Sequence, residues 1–150
     1  NHDRSLDWHL LEQGEHAGLQ RLIRDLNHLY RERTALHQLD CAPEGFAWIE
    51  GGDAEQSVFS FERRDRDGNV VVAISNMTPM VRHDYNLGLP AGGVWREILN
   101  TDATEYGGSG VGNGGHIGTS EIPMHGRAHS ASLVLPPLAT IVLAPERGES

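Results

Sequence analysis

Ser57-Val58-Phe59-Ser60-Phe61-Glu62-Arg63-Arg64-Asp65-Arg66-Asp67-Gly68-Asn69-Val70-Val71-Val72 reads as two strands and the turn that joins them. β-Branched and aromatic side chains fill both arms, and such side chains suit a pleated surface. Asp67-Gly68 between them supplies the backbone angles a tight hairpin needs. The two arms are therefore expected to be antiparallel neighbours. Arg63, Arg64 and Arg66 alternate at the tip with Glu62, Asp65 and Asp67, a mixture that predicts solvated surface charge.

The same alternation recurs on both sides of this hairpin. After Gly45, short apolar runs at 46–50, 57–63, 69–75, 82–87, 94–99, 130–135 and 140–144 are separated by Gly, Pro, Asn and Asp clusters. Strands this short and regularly spaced predict an antiparallel β-sandwich. The segment from Tyr106 to Gly118 is too rich in glycine for a strand or helix and is expected to be an exposed loop. A phosphate-binding loop would need a strand before it, a helix after it and usually a Lys at its end, and none of these accompanies it.

Before Gly45 the period changes. Leu19, Leu22, Ile23, Leu26, Leu29, Tyr30 and Leu36 recur at intervals of three and four, drawing one apolar stripe along a helix expected at roughly 17–38. Gly14 and Gly18 mark its entrance, and Pro43 with Gly45 the region past its exit. Exposed alone, such a stripe would leave several hundred Å² of apolar surface in water. The helix is thus expected to fold back on the β-domain or to pair with another copy. The fold class is mainly β: an antiparallel sandwich preceded by one long amphipathic helix.

A chain of 150 residues can bury a real core without a staple. Its net charge is -9 and all 12 basic residues are Arg. That balance repels phosphate backbones and anionic lipid, so neither nucleic acid nor membrane is an expected partner. Cys41 is the single cysteine, which rules out an intramolecular disulfide. With no basic region and apolar run at the N-terminus, a cytoplasmic location is expected. No apolar run approaches the roughly 20 residues of a membrane span. The missing initial Met suits a fragment of a longer chain.

Few residues invite a chemical role. His125 and His129 lie four apart, but no Cys or carboxylate pattern completes a metal site around them. His83 and Asp84 are adjacent on a predicted strand and should point to opposite faces. Ser, His and Asp occur without a nucleophile elbow, so no hydrolase triad can be placed. Cys41 has no neighbouring base and reads as a small buried or half-buried residue. Trp48 and Trp95 fall within strands and are expected in the core. Trp8 precedes the helix in a non-periodic stretch, and its flat apolar face suits it best for stacking on a sugar. No catalytic residue, cofactor or metal is expected.

Several long strings keep the order and spacing of one family. Ser5-Leu6-Asp7-Trp8-His9-Leu10-Leu11-Glu12, Arg24-Asp25-Leu26-Asn27 with Tyr30, and Gly45-Phe46 with Trp48 are three of them. Arg82-His83-Asp84-Tyr85, Trp95-Arg96-Glu97-Ile98-Leu99-Asn100-Thr101-Asp102 and Leu135-Pro136-Pro137-Leu138-Ala139-Thr140 are the others. Together they resemble the C-terminal region of bacterial glycogen branching enzymes, of the α-amylase superfamily. The resemblance implies that residues 1–42 end a catalytic (β/α)₈ barrel and include its last helix, and that 43–150 form the β-domain that follows.

Such enzymes cut an α-1,4 glucan and pass the segment to a 6-hydroxyl, which needs two close carboxyl groups. In the family those lie upstream of the matching region, so the chain itself is expected to be structural and inactive. Asp7 and Glu12 match a string that is not a catalytic motif. The expected partners are the barrel and, through the whole enzyme, the glucan. Trp8 would lie near the active-site face. Two other readings remain: a glucan-binding module, which predicts exposed coplanar aromatics, and the matching domain of a debranching enzyme or maltosyltransferase.

Overall fold

The structure, a computed structural model, describes residues 7, 9–10 and 14–146, apart from the side chain of Glu15. Among these, one helix, α1 (Gly14–Glu32), precedes eight strands. They are β1 (Phe46–Asp53), β2 (Val58–Arg64), β3 (Val70–Asn76), β4 (Arg82–Leu89), β5 (Val94–Asn100), β6 (His116–Gly118), β7 (His129–Leu135) and β8 (Ala139–Pro145). Every ladder is antiparallel. Six strands form one sheet in the order β1-β2-β3-β8-β5-β6, and β4 pairs with β7 in a second. All seven strands expected from the sequence are present, and the hairpin pairs from Val58↔Asn76 to Arg64↔Val70.

The two sheets face each other across one core. Ile49, Val58, Val72, Ile74, Trp95, Ile117, Ile141 and Leu143 come from the larger sheet, and Tyr85, Leu87, Leu89, Ala131, Leu133 and Leu135 from the smaller. Each large apolar side chain placed there is worth roughly 1.5–3 kcal/mol in water-to-core transfer. Trp95 is completely buried, and its indole N–H donates to the Ala91 carbonyl at 3.1 Å.

A second cluster lies on the outer face of the larger sheet. Leu29 and Ala35 pack there on Val71, Leu99 and Val142, joined by Leu22, Leu26, Leu36, Ile98 and Tyr106. This explains the unbroken runs Val70-Val71-Val72 and Ile141-Val142-Leu143: β3 and β8 are covered on both faces, so alternation is lost. The helix does fold back on the sheet. Only one edge of its broad stripe does so, because Leu19, Ile23 and Tyr30 remain 57%, 51% and 47% exposed.

The helix occupies different bounds from the expected 17–38. It begins at Gly14 and stops at Glu32, where Arg33 turns extended (φ −102°, ψ 98°) and a 3-10 turn, Thr34–Leu36, follows. Leu36 keeps the apolar spacing without being helical in the same sense. Gly18 is not an entrance signal but a contact point. A Cβ there would collide with the Tyr106 carbonyl, so the absent side chain lets α1 lie against the Thr104–Tyr106 turn. Tyr106 fastens the junction by donating to Asp25 at 2.9 Å.

Two further expectations are corrected. The tip of the β2–β3 hairpin is solvated mixed charge only in part: Arg64, Arg66 and Asp67 are exposed, whereas Glu62 and Asp65 are 1% and 5% exposed. Glu62 points into the sandwich, where Arg64 and Arg127 both pair with it. Asp65 turns back into the hairpin and accepts from the Asp67 and Asn69 amides at 3.0 and 2.8 Å, and from the Thr34 hydroxyl. Cys41 is exposed, because it sits in the turns between α1 and β1, clear of both clusters.

Candidate functional site

The most open aromatic surface follows from β1 being an edge strand. Cross-strand partners share a face, so the pairs Trp48↔Phe61, Phe61↔Ala73, Ala73↔Val142 and Val142↔Leu99 define one row across the outer face. The helix covers the Val142 and Leu99 end of this row and leaves the Trp48 end bare. Trp48 is 57% exposed and Phe46 39%. Trp48 meets Phe46, Phe59 and Phe61 edge-on, at interplanar angles of 89°, 80° and 85°. Phe46 and Phe61 tilt by 30° at 5.3 Å. The rings make a cluster with a single open indole, not a coplanar platform.

An apolar groove of about 320 Å³ runs beside this cluster, between α1 and the sheet, lined by Leu26, Tyr30, Leu36, Phe61, Arg63 and Ala73 among others. Its rim is polar. Tyr30 donates to Asp40 at 2.9 Å, and Arg63 reaches both Asp40 and the Gly45 carbonyl, the latter at 2.9 Å. The Arg63 and Tyr30 hydrogen bonds hold the Asp40 carboxyl below its usual range, while Asp40 pushes the Tyr30 phenol up. Both shifts keep Asp40 charged and Tyr30 neutral around neutral pH, so neither is poised to exchange protons there.

The glycine-rich segment is ordered by carboxylates, which corrects its reading as a plain exposed loop. Asp102 is buried and accepts from the Ser109 and Val111 amides at 2.9 and 3.1 Å and from the Ser109 hydroxyl. Burial opposes its charge, but these donors outweigh it and hold its carboxyl below the ordinary value. Glu97 accepts from the Asn113 side chain at 2.8 Å, and Asn113 donates onward to the Val134 carbonyl at 3.0 Å. So pinned, the segment starts from the Thr104–Tyr106 turn and ends in the short strand β6, which the glycine content had hidden.

The sequence-predicted residues do not converge. Trp8, the expected sugar contact, and Glu12 lie outside the described residues; Asp7 is exposed. Trp95 is core as expected, whereas Trp48 is on the surface. The signal that could have placed Trp48 was its alternation with Ile49 and its pairing with Phe61. That signal was ambiguous because the inner face of β2 carries Ser60 and Glu62 while its outer face carries Phe59 and Phe61. His83 and Asp84 are both exposed, at a register shift in β4 where Asp84 has φ 54°. His125 engages the Gly88 amide and Glu50. No helix among the described residues is long and apolar enough to cross a membrane.

Comparison with known proteins adds three findings. The family described as the α-amylase C-terminal all-β domain matches residues 48–146. The 1,4-alpha-glucan branching enzyme GlgB of Cereibacter sphaeroides is 57% identical over 145 residues, which are 97% of this chain and 20% of that protein. The chain thus spans about a fifth of the length of that curated relative. Among solved structures, an α-amylase from H. orenii aligns over 82% of this chain and 19% of its own, at 18% identity and a TM-score of 0.48.

Proposed function

The chain belongs to the family of α-amylase C-terminal all-β domains, and we propose that it is the closing part of a 1,4-α-glucan branching enzyme, acting as support for the catalytic body and not as a catalyst. The observation that carries this reading is 57% identity over nearly the whole chain with a branching enzyme five times its length. In the whole enzyme that this chain would close, residues 1–42 end the (β/α)₈ barrel and 43–150 form the β-domain behind it. The bare edge of α1, Leu19, Ile23 and Tyr30, faces the barrel, while the other edge holds the sandwich. One helix then ties both bodies together through two neighbouring apolar edges. The substrate of the whole enzyme is a linear α-glucan, its location the cytoplasm, and no cofactor is required. In a chain lacking the barrel, the bare edge is available for self-association.

A second reading is favoured by one observation, the open indole of Trp48. An exposed tryptophan beside Phe46 suits stacking on a glucose ring, so the β-domain also contacts the glucan chain outside the catalytic centre. The edge-on arrangement of the other rings limits that contact to one or two sugars.

Branching activity, read as the change in iodine staining of amylose, tests the first reading. The 150-residue chain alone is expected to show none. In the whole enzyme, Leu19→Ser with Ile23→Ser should lower the melting temperature while leaving kcat of the folded fraction nearly unchanged. Activity in the isolated chain, or a double variant with unaltered melting, would refute it.

A further inference from the structure

Gly88 is buried in β4, one of the two strands of the smaller sheet. A Cβ at this position would collide with the Met124 carbonyl, so the turn Met124–Arg127 lies directly on the β4 backbone. That turn closes on itself through Met124 N–H to Arg127 O at 3.0 Å and Arg127 N–H to Met124 O at 2.8 Å. Its central residues, His125 and Gly126, have φ of 50° and 71°. Glycine takes such angles freely, whereas a histidine adopts them at some cost and needs compensating contacts.

His125 has those contacts on both ring nitrogens. Nδ1 accepts the Gly88 N–H at 3.2 Å, and Nε2 lies 3.6 Å from the Glu50 carboxylate. Glu50 is itself aimed by the Gly52 N–H, 2.6 Å from its other oxygen. Because Nδ1 accepts, the single proton of the neutral ring sits on Nε2, facing Glu50. An imidazolium carries protons on both nitrogens and has no acceptor left.

We propose that His125 is a proton-operated latch, which clips the 124–127 turn over β4 while neutral and releases the Gly88 amide when it gains a proton. A proton on Nδ1 takes up that nitrogen's lone pair, so the Gly88 N–H loses its acceptor while Nε2–H still faces Glu50. Three charged side chains near the turn have partners other than His125. Arg127 and Arg64 both pair with Glu62, and Asp53 accepts the Tyr85 hydroxyl at 3.1 Å. On release, the Arg127–Glu62 pair still tethers the turn, so opening is local: the backbone of β4 is bared at Gly88 while the sandwich stays closed.

Hydrogen–deuterium exchange at Gly88, expressed as a protection factor to divide out intrinsic rates, tests this from about pH 8 to about pH 5. Wild-type protection should fall about tenfold as the ring is protonated. His125→Asn, which tolerates positive φ, keeps an acceptor and does not titrate, should show no step. A flat wild-type profile, or the same step in both proteins, would overturn the proposal. Imidazole ¹⁵N shifts of the wild-type protein test it without any variant: the proton is expected on Nε2 at about pH 8, and finding it on Nδ1 would equally overturn the latch.

Discussion

The transverse row on the larger sheet has two unlike ends. At one, Leu99 and Val142 are each 7% exposed beneath α1; at the other, Trp48 is 57% exposed on an edge strand. Both ends carry large hydrophobic side chains, so hydrophobicity alone does not decide burial. What decides it is whether another element reaches that end. The helix is held over β8 and β5 by Tyr106 and by the gap at Gly18, and over β3 by Thr34 and Asp65. Nothing among the described residues reaches over Trp48 in the same way.

The comparison breaks most visibly if the covered end is hollowed. Leu99→Ala removes a side chain packed between the sheet and α1, and should cost about 2–5 kcal/mol of unfolding free energy, read from urea denaturation. A cost below about 1 kcal/mol would mean that the helix rests only loosely on the sheet in solution.

The carboxylate at the hairpin tip should have an intermediate effect. Asp65 gathers the Asp67 and Asn69 amides, the Asn69 side chain and the Thr34 hydroxyl, so it fixes both the β2–β3 turn and the exit of the helix. Burial raises its pKa, but the Thr34, Asn69 and Asp67 hydrogen bonds prevail and leave it lowered. Asp65→Asn turns one acceptor into a donor that faces other donors, at a cost of about 1–3 kcal/mol near neutral pH. A group with a depressed folded pKa contributes its stability above its unfolded value, about 3.9, and loses it as pH falls through the folded value. The gap between wild type and variant should therefore be full at pH 6 and close progressively below about pH 4. A gap that persists unchanged in acid would assign the loss to shape and not to charge.

How much of this was legible depended on which interactions set each feature. Period-two runs located seven strands because each strand buries at least one face, and Asp67-Gly68 located the hairpin because turn chemistry is local. Strand β6 was invisible: Ile117 is its one buried residue, and the flanking glycines read as loop. The buried state of Glu62 was equally hidden, since its partner Arg127 lies 65 residues away. Trp48 was misplaced for a related reason: alternation gives two faces but not which one meets the core. The family was legible through strings that run the length of the chain, whereas the one candidate sugar contact drawn from them, Trp8, lies outside the described residues.

Trp48 is where the two ends differ most and where substitution should disturb the fold least. Trp48→Ala removes a half-solvated ring whose neighbours meet it edge-on, so the unfolding free energy should change by no more than about 1 kcal/mol. The same substitution should reduce retardation on amylose in affinity electrophoresis if the open indole stacks on glucose. Unchanged retardation with unchanged stability would leave Trp48 without a glucan role and return the β-domain to support alone. A stability loss above about 3 kcal/mol would instead show that the bare end is covered in solution, since only a buried ring carries a cost of that size.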